Sequence, residues 1–535
     1  MSAERTVGVH PAAELARRPE LFAALAEAFP SVRFEAREAT ELAGIDALVE
    51  LGSKEVAGAA AGAGIPSLGL LQPESPAGPS TEIELADIEG LDRRLRGRTL
   101  LDVHLAGLVP LEVPATGDVL AQHRGDPVWI RDSLLDIAAA APAELTAGEQ
   151  LRMRLRGERC LALLPLLELL RRVEGGEGWQ PPPLRASFLL DDPNLHWPSY
   201  GFLKLRELAD HGDRHGYHLA LAMVPLDAWF AHPRAATLLR ERTSLSLLVH
   251  GNDHLAQELG RADAGALALA AQAQRRVDAF EKRSGVPVSR VMAPPHEACS
   301  EPIALALPRA GFEAITMTRP FPWLAPSEQW LASPREAGRL TGWRPADLTP
   351  TGLPVMLRHP MGGDGHSPSE VVLRAYLNQP LILYGHQEDL AGGLDALAAQ
   401  AADVGRFGAV RWGSLGNLAA SNFERRHEGE RLHLRPYGRR LEVDVPAEVT
   451  ELVVERPPGS AADDVVRSQA ASVPFGEPFA VAAGERVELT LIAPDAVSPA
   501  SVPAPPRRAW PVARRIAAEA RDRAAPLRRR AASRG

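Results

Sequence analysis

The chain has 535 residues, 45% of them apolar and 24% charged, and carries a formal net charge of −9 at pH 7. Those proportions exclude a disordered or fibrous chain and predict a globular one with room for three or four domains of ~150 residues. No stretch approaches the ~18 uninterrupted apolar residues of a membrane span, and the acidic balance argues against a nucleic-acid partner.

Residues Met1 to Glu14 contain neither a basic nor an apolar leader segment. Cys160 and Cys299 form no motif and fit a reducing compartment. A cytoplasmic location is expected, with membrane association at most peripheral.

In chain order, Thr6–His10, Val32–Ala36, Ala47–Leu51 and Ser67–Leu71 read as short strands. Ala12–Ala28 reads as helix interrupted at Pro19. This alternation predicts a Rossmann- or flavodoxin-like α/β domain over residues 1–145, built on a parallel sheet. Gly52-Ser53-Lys54 follows a strand but lacks the rest of a phosphate-loop pattern. Gly117–Ala121 and Gly125–Trp129 read as a β-hairpin. The region faintly resembles glutamine-amidotransferase-like domains. That resemblance implies a cysteine nucleophile, and no cysteine precedes Cys160, so the activity is expected to be absent.

Residues 146–184 read as a helical linker closed by Gly175-Gly176 and Pro181-Pro182-Pro183. From 185 to 425 strand candidates recur at Ala186–Leu190, His218–Val224, Ser244–Val249, Ser289–Met292, Glu313–Met317, Pro354–Leu357, Pro380–Tyr384 and Gly408–Val410, with helical segments between several of them. About seven β/α units predict a deformed (β/α)7 barrel. In 426–500, Leu432, Leu434, Leu441, Val443, Val445, Val487, Leu489 and Leu491 alternate with polar neighbours, which predicts a small β-sandwich. Residues 501–535 form a basic tail: from Arg507 to Gly535 ten arginines oppose only Glu519 and Asp522. It is expected to be solvated and, through residues 507–535, to contact an anionic membrane surface.

In such a barrel the chemistry gathers at the carboxyl ends of the strands. There lie Asp191 and Asp192 after the first strand, His250 and His254 after the third, Pro295, His296 and Glu297 after the fourth, and His386 after the seventh. Two histidines and a carboxylate are a ligand set that leaves positions open for water, as catalytic zinc requires. The second His-x-x-x-His, His211 and His215, ends a helix and reads as surface or packing. His196, Trp197, Tyr200 and Trp323 are loop aromatics with faces that suit sugar stacking.

This constellation resembles the polysaccharide deacetylases of the NodB-homology, carbohydrate esterase family 4 type, over residues 185–420. The resemblance implies Asp191 as catalytic base, Asp192, His250 and His254 as ligands of a divalent metal, usually zinc, and His386 as general acid. It implies a backbone N–H around Pro295 and His296 for the oxyanion. The substrate so implied is an N-acetylated sugar or glycan precursor.

Three departures mark a divergent branch, the first being that the Asp that supports the acid histidine in the family has only Asp347 as a candidate here. Ala293-Pro294-Pro295-His296-Glu297 stands where the family has Arg-x-Pro-aromatic-Gly, leaving Arg290 or Arg358 to orient the base. Gly251 stands where Ser or Thr usually follows the first histidine. The alternatives are a catalytically impaired member that binds or scaffolds glycans in envelope polysaccharide synthesis, and a barrel metallohydrolase acting on another amide or a phosphoester.

Overall fold

The structure, a computed structural model, describes residues 4–39, 41–146, 149–175, 178–260, 265–318, 345–349, 351–362, 367–457, 464–467, 472–492, 495–506 and 509–532. These divide into two compact units. The first runs to Gln180 and also takes Ser367–Leu377, while the second holds the other described residues.

The first unit is a nine-stranded mixed sheet. Five strands run parallel, in the order Val32–Ala36, Arg5–His10, Ala47–Leu51, Ser67–Pro73 and Leu135–Ala141. Ala47–Leu51 is buried throughout, as a strand covered on both faces must be. The parallel sheet read from the sequence is this half, and the hairpin read at Gly117–Trp129 belongs to the other. The hairpin of Asp118–His123 and Asp126–Asp132, with Thr81–Leu85 and Thr99–Asp102, extends the sheet antiparallel. Helices Ala12–Arg17 and Pro19–Ala28 meet at the break set by Pro19. The segment read as a linker packs within this unit as far as Gln180. Its helix Leu164–Glu174 buries four leucines beside Leu164, and Glu168 accepts a 2.8 Å hydrogen bond from the Tyr376 hydroxyl.

The second unit is built on a closed barrel of seven parallel strands. They are β1 (Leu184–Asp191), β2 (Leu219–Met223), β3 (Leu245–His250), β4 (Val288–Ala293), β5 (Ala314–Met317), β6 (Pro354–Pro360) and β7 (Leu381–Gly385). β7 pairs back onto β1 to close the ring. The eighth strand, expected at Gly408–Val410, lies at Val410–Trp412, pairs only with the first residues of β1 and stays outside the ring. Small side chains, Ala220, Ala222, Ala293 and Ala314, alternate with Leu189, Leu248 and Met356 in the interior. Leu415, Leu418 and Ala419 join the same cluster. The Leu418 carbonyl accepts from the buried Arg185 at the start of β1, so this helix closes the amino-terminal end. The carboxyl end carries the polar groups.

The β-sandwich has two four-stranded sheets, and the alternating leucines and valines named above meet between them. The basic tail is ordered: Ala509–Ala532 is a helix of 24 residues lying against the carboxyl end of the barrel. Pro511 falls in its first turn, where a missing N–H costs little. Among the described residues no helix is long and apolar enough to cross a membrane.

Candidate active site at the carboxyl end of the barrel

β1 is buried along its whole length and delivers Asp191 into the mouth at 4% exposure. The next residue, Asp192, turns the chain with φ +77°, a left-handed conformation uncommon for a side-chain-bearing residue. The turn sends the two carboxylates in different directions.

Asp192 meets the histidines. Its Oδ1 lies 2.9 Å from His254 Nε2 and 3.8 Å from His250 Nε2. One ligand atom from each of the three residues lies within 4.8 Å of the others. His250 Nδ1 is 2.8 Å from the Ala293 carbonyl, so the proton sits on Nδ1 and Nε2 offers its lone pair to the cluster. Burial pushes the His250 imidazole down to about 4, against the pull of Asp191 and Asp192. Burial alone would raise the Asp192 carboxyl, but the hydrogen bond with His254 and the charges of His250, His254 and Arg515 bring it well below the usual carboxylate range. A neutral imidazole at His250 and an ionised carboxylate at Asp192 are protonation states that suit a divalent cation. The His2Asp donor set suits zinc and neighbouring divalent metals.

The loop carrying His254 is organised by Glu258. Its carboxylate accepts from the backbone N–H groups of Asn252 (2.7 Å), Asp253 (2.9 Å) and His254 (3.0 Å). Gly251 precedes them at φ +63°, and a Cβ there would lie 2.4 Å from Glu258 Oε1 and 2.5 Å from Pro295 Cγ. Arg276 pins the loop from outside through Asn252 and Asp253.

Asp191 belongs to a different network. Arg358 Nη1 donates to Asp191 Oδ1 at 3.0 Å and Oδ2 at 2.8 Å, and Arg358 Nε and Nη2 donate to Glu297 Oε1 at 3.0 and 2.6 Å. Arg358 is 3% exposed and lies over the Tyr384 ring. Of the two arginines considered for orienting the base, it is Arg358 that reaches Asp191. Arg290 pairs instead with Asp278 and Glu281, both on the helix Ala266–Ser284.

Pro295 and His296 lie in the turn after β4, with His296 at φ +57° and its ring centroid 5.1 Å from that of His254. Proline has no N–H, so His296 carries the first backbone donor of this turn beyond Ala293. His386 follows β7 on the same rim and is exposed. Its backbone N–H donates to Asp389 Oδ2 at 2.7 Å.

The aromatic expectations divide. His196 is held between Glu519 Oε2 and the Asp227 carbonyl, at 3.0 Å each, so its ring edge is engaged. Its ring packs on Trp229 at 4.8 Å. Tyr200 is buried and donates to Asp522. Trp197 is 58% exposed. Trp323 lies outside the described residues. His211 bonds the Tyr217 hydroxyl and stacks on His215, away from the cluster, as read from the sequence.

The C-terminal helix enters the mouth with its charged face. Arg515, 5% exposed, donates from Nε and Nη2 to Asp227 Oδ2 at 2.9 and 2.5 Å, and its Nη1 lies 3.4 Å from Asp192 Oδ1. Arg514 donates to the His254 carbonyl. Further along, Glu519 meets His196, and Arg523 donates to Asn194 Oδ1 at 3.0 Å. Sequence reasoning missed Glu258 and Asp227; it placed Glu297 on this rim and Arg515 in the basic tail without giving either a contact at the site.

No family model and no curated protein matches this chain. Solved structures similar to it include a CE4 esterase of Streptococcus mutans, 11% identical, covering 43% of this chain and 86% of that one, with a TM-score of 0.27. A family 4 carbohydrate esterase of Streptomyces lividans in complex with acetate is 11% identical over 44% and 93%, with a TM-score of 0.25. A peptidoglycan deacetylase of Bacillus subtilis is 12% identical over 41% and 96%, with a TM-score of 0.19. The likeness is distant, and what those proteins act on is a fact about them.

Proposed function

We propose that the barrel is a metal-dependent hydrolase that removes acetyl groups from an N-acetylated sugar or glycan precursor. The observation that carries this reading is the juxtaposition, on one rim, of the Asp192–His250–His254 cluster with the separately held carboxylate of Asp191.

Asp192, His250 and His254 would hold the cation, with zinc favoured by the donor set. When bound, such a cation supplies Lewis acidity and a water with lowered pKa. Asp191 takes a proton from the attacking water, its carboxylate oriented by Arg358. The His296 N–H would donate to the developing oxyanion, an interaction whose strength comes from being fixed before the reaction. His386, on the same rim, delivers a proton to the departing amine. The test is acetate release from N-acetylglucosamine oligomers by zinc-loaded protein. Release from the full chain that Asp191→Asn abolishes supports the reading, whereas a well-folded full chain that takes up no zinc removes it.

The second reading, a deacetylase-fold protein that binds or scaffolds glycans without turnover, is favoured by Arg515 beside Asp192 in the mouth. It predicts retention of the chain on N-acetylglucosamine oligomers with no acetate released at any zinc concentration.

A further inference from the structure

The C-terminal helix is amphipathic the wrong way round for a helix packed on a protein. Its charged side chains, Arg515, Glu519 and Asp522, face the barrel. Its apolar side chains face outward: Trp510 is 70% exposed, Ile516 64% and Leu527 66%. At 3.6 residues per turn, Ala513, Ile516, Ala520 and Leu527 fall on one side, opposite Arg515 and Asp522. Arg521 and Arg528, both exposed, border that side. The helix's two acids are turned inward, so the outer face carries no negative charge.

We infer that this outer face is a docking surface for an anionic lipid bilayer. A stripe of Trp, Ile and Leu bordered by arginines is the pattern of helices that lie in the membrane interface, where apolar burial and attraction to anionic headgroups add. A stripe for a second protein copy would need no basic border. Flotation of the full chain with vesicles of phosphatidylcholine, with or without phosphatidylglycerol, tests it. Binding is expected only with phosphatidylglycerol and should fall with added salt. Ile516→Asp with Leu527→Asp should abolish it, and Arg521→Gln with Arg528→Gln should weaken it severalfold. These positions are exposed, so an unchanged melting temperature checks the fold. Absence of flotation, or flotation undiminished by the Asp pair, overturns the inference. So does a concentration-dependent dimer, without flotation, that Ile516→Asp dissociates.

The inner face carries a second, independent inference, which rests on the metal-dependent reading above. The geometry points to this helix as a strap that competes with the cation: Arg515 sets a positive charge 3.4 Å from the ligand oxygen of Asp192, and Arg514 holds the His254 carbonyl. Isothermal titration of zinc chloride into the full chain tests it. Arg515→Gln should bind zinc about tenfold or more tightly, since a like charge is removed from the cation's neighbourhood. Glu519→Gln with Asp522→Asn loosens the strap from His196 and Tyr200 without touching the cluster, and should also tighten binding. In the unaltered chain, zinc should speed hydrogen exchange in residues 509–532. Equal zinc affinity in all three proteins overturns the strap and leaves the metal site standing. No zinc binding in any of them overturns both.

Discussion

Arg358 donates from one nitrogen to both carboxylate oxygens of Asp191, at 3.0 and 2.8 Å, with neither residue more than 4% exposed. The same guanidinium holds Glu297 with its other nitrogens. Burial works against the Arg358 charge, but Asp191 and Glu297 more than offset it and raise its pKa. Arg358→Met would remove the guanidinium that the Asp191 and Glu297 carboxylates share. We expect a loss of about 3–5 kcal/mol in denaturant unfolding, as for broken buried pairs generally. Adding Asp191→Asn to that variant should recover part of the loss, because one of the stranded charges goes with it.

Asp191→Asn alone keeps the shape of the side chain and removes the proton acceptor. Acetate release should fall by about 10²–10⁴, the usual contribution of a positioned base. Zinc stoichiometry measured by metal analysis should stay at the value of the unaltered chain. Asp192→Asn should do the reverse in order of cause, with zinc lost first and turnover with it.

Gly251→Ala tests the loop between the two histidines. The φ of +63° and the 2.4 Å approach of Glu258 Oε1 leave no place for a methyl group. Strain of about 1–3 kcal/mol is expected. It should appear both as a lower melting temperature and as weaker zinc binding, since His254 would move with the loop. A variant with unchanged zinc affinity would show that Glu258 is not what holds His254 in place.

His218 predicts an acid limb of stability unrelated to the metal cluster. Burial pushes its imidazole down to about 4, although its hydrogen bond to the Thr243 carbonyl works the other way. An unfolded histidine titrates near about 6.5. Between those values the unfolded chain binds the extra proton, so stability rises with pH. The contribution is complete above about pH 6.5, shrinks as pH falls through 4, and amounts to about 3 kcal/mol. Unfolding free energies of the unaltered chain and His218→Asn, measured from pH 7 to 4, should converge toward the acid end.

Much of the barrel was legible because its strands are short, wholly buried runs that end abruptly in polar residues. Leu184–Asp191 and Leu245–His250 each end in a candidate site residue, and the parallel barrel puts those residues at one end. The clasp on Asp191 was not legible to the same degree. Arg358 stands 167 residues away and could be narrowed only to one of two arginines. The antiparallel half of the first sheet was legible only in its hairpin, because Thr81–Leu85 and Thr99–Asp102 are runs of five and four residues, too short to carry a clear period. The C-terminal helix was read as a solvated tail because its two prolines and dense arginines break the ordinary apolar pattern. Its binding energy comes from ion pairs across more than 280 residues, such as Arg515 with Asp227, which no local pattern encodes.

One helix thus touches Asp192 and His254 with one face and exposes Trp510, Ile516 and Leu527 on another. On the two inferences above, a bilayer that also draws the helix off the barrel would join these contacts in a single conformational equilibrium. If a bilayer draws the helix outward, zinc binds more tightly, and the same factor must return as tighter bilayer binding when zinc is present. Ion and membrane would then act as a coincidence gate, each the effector of the other, with Arg515 as the element that couples them.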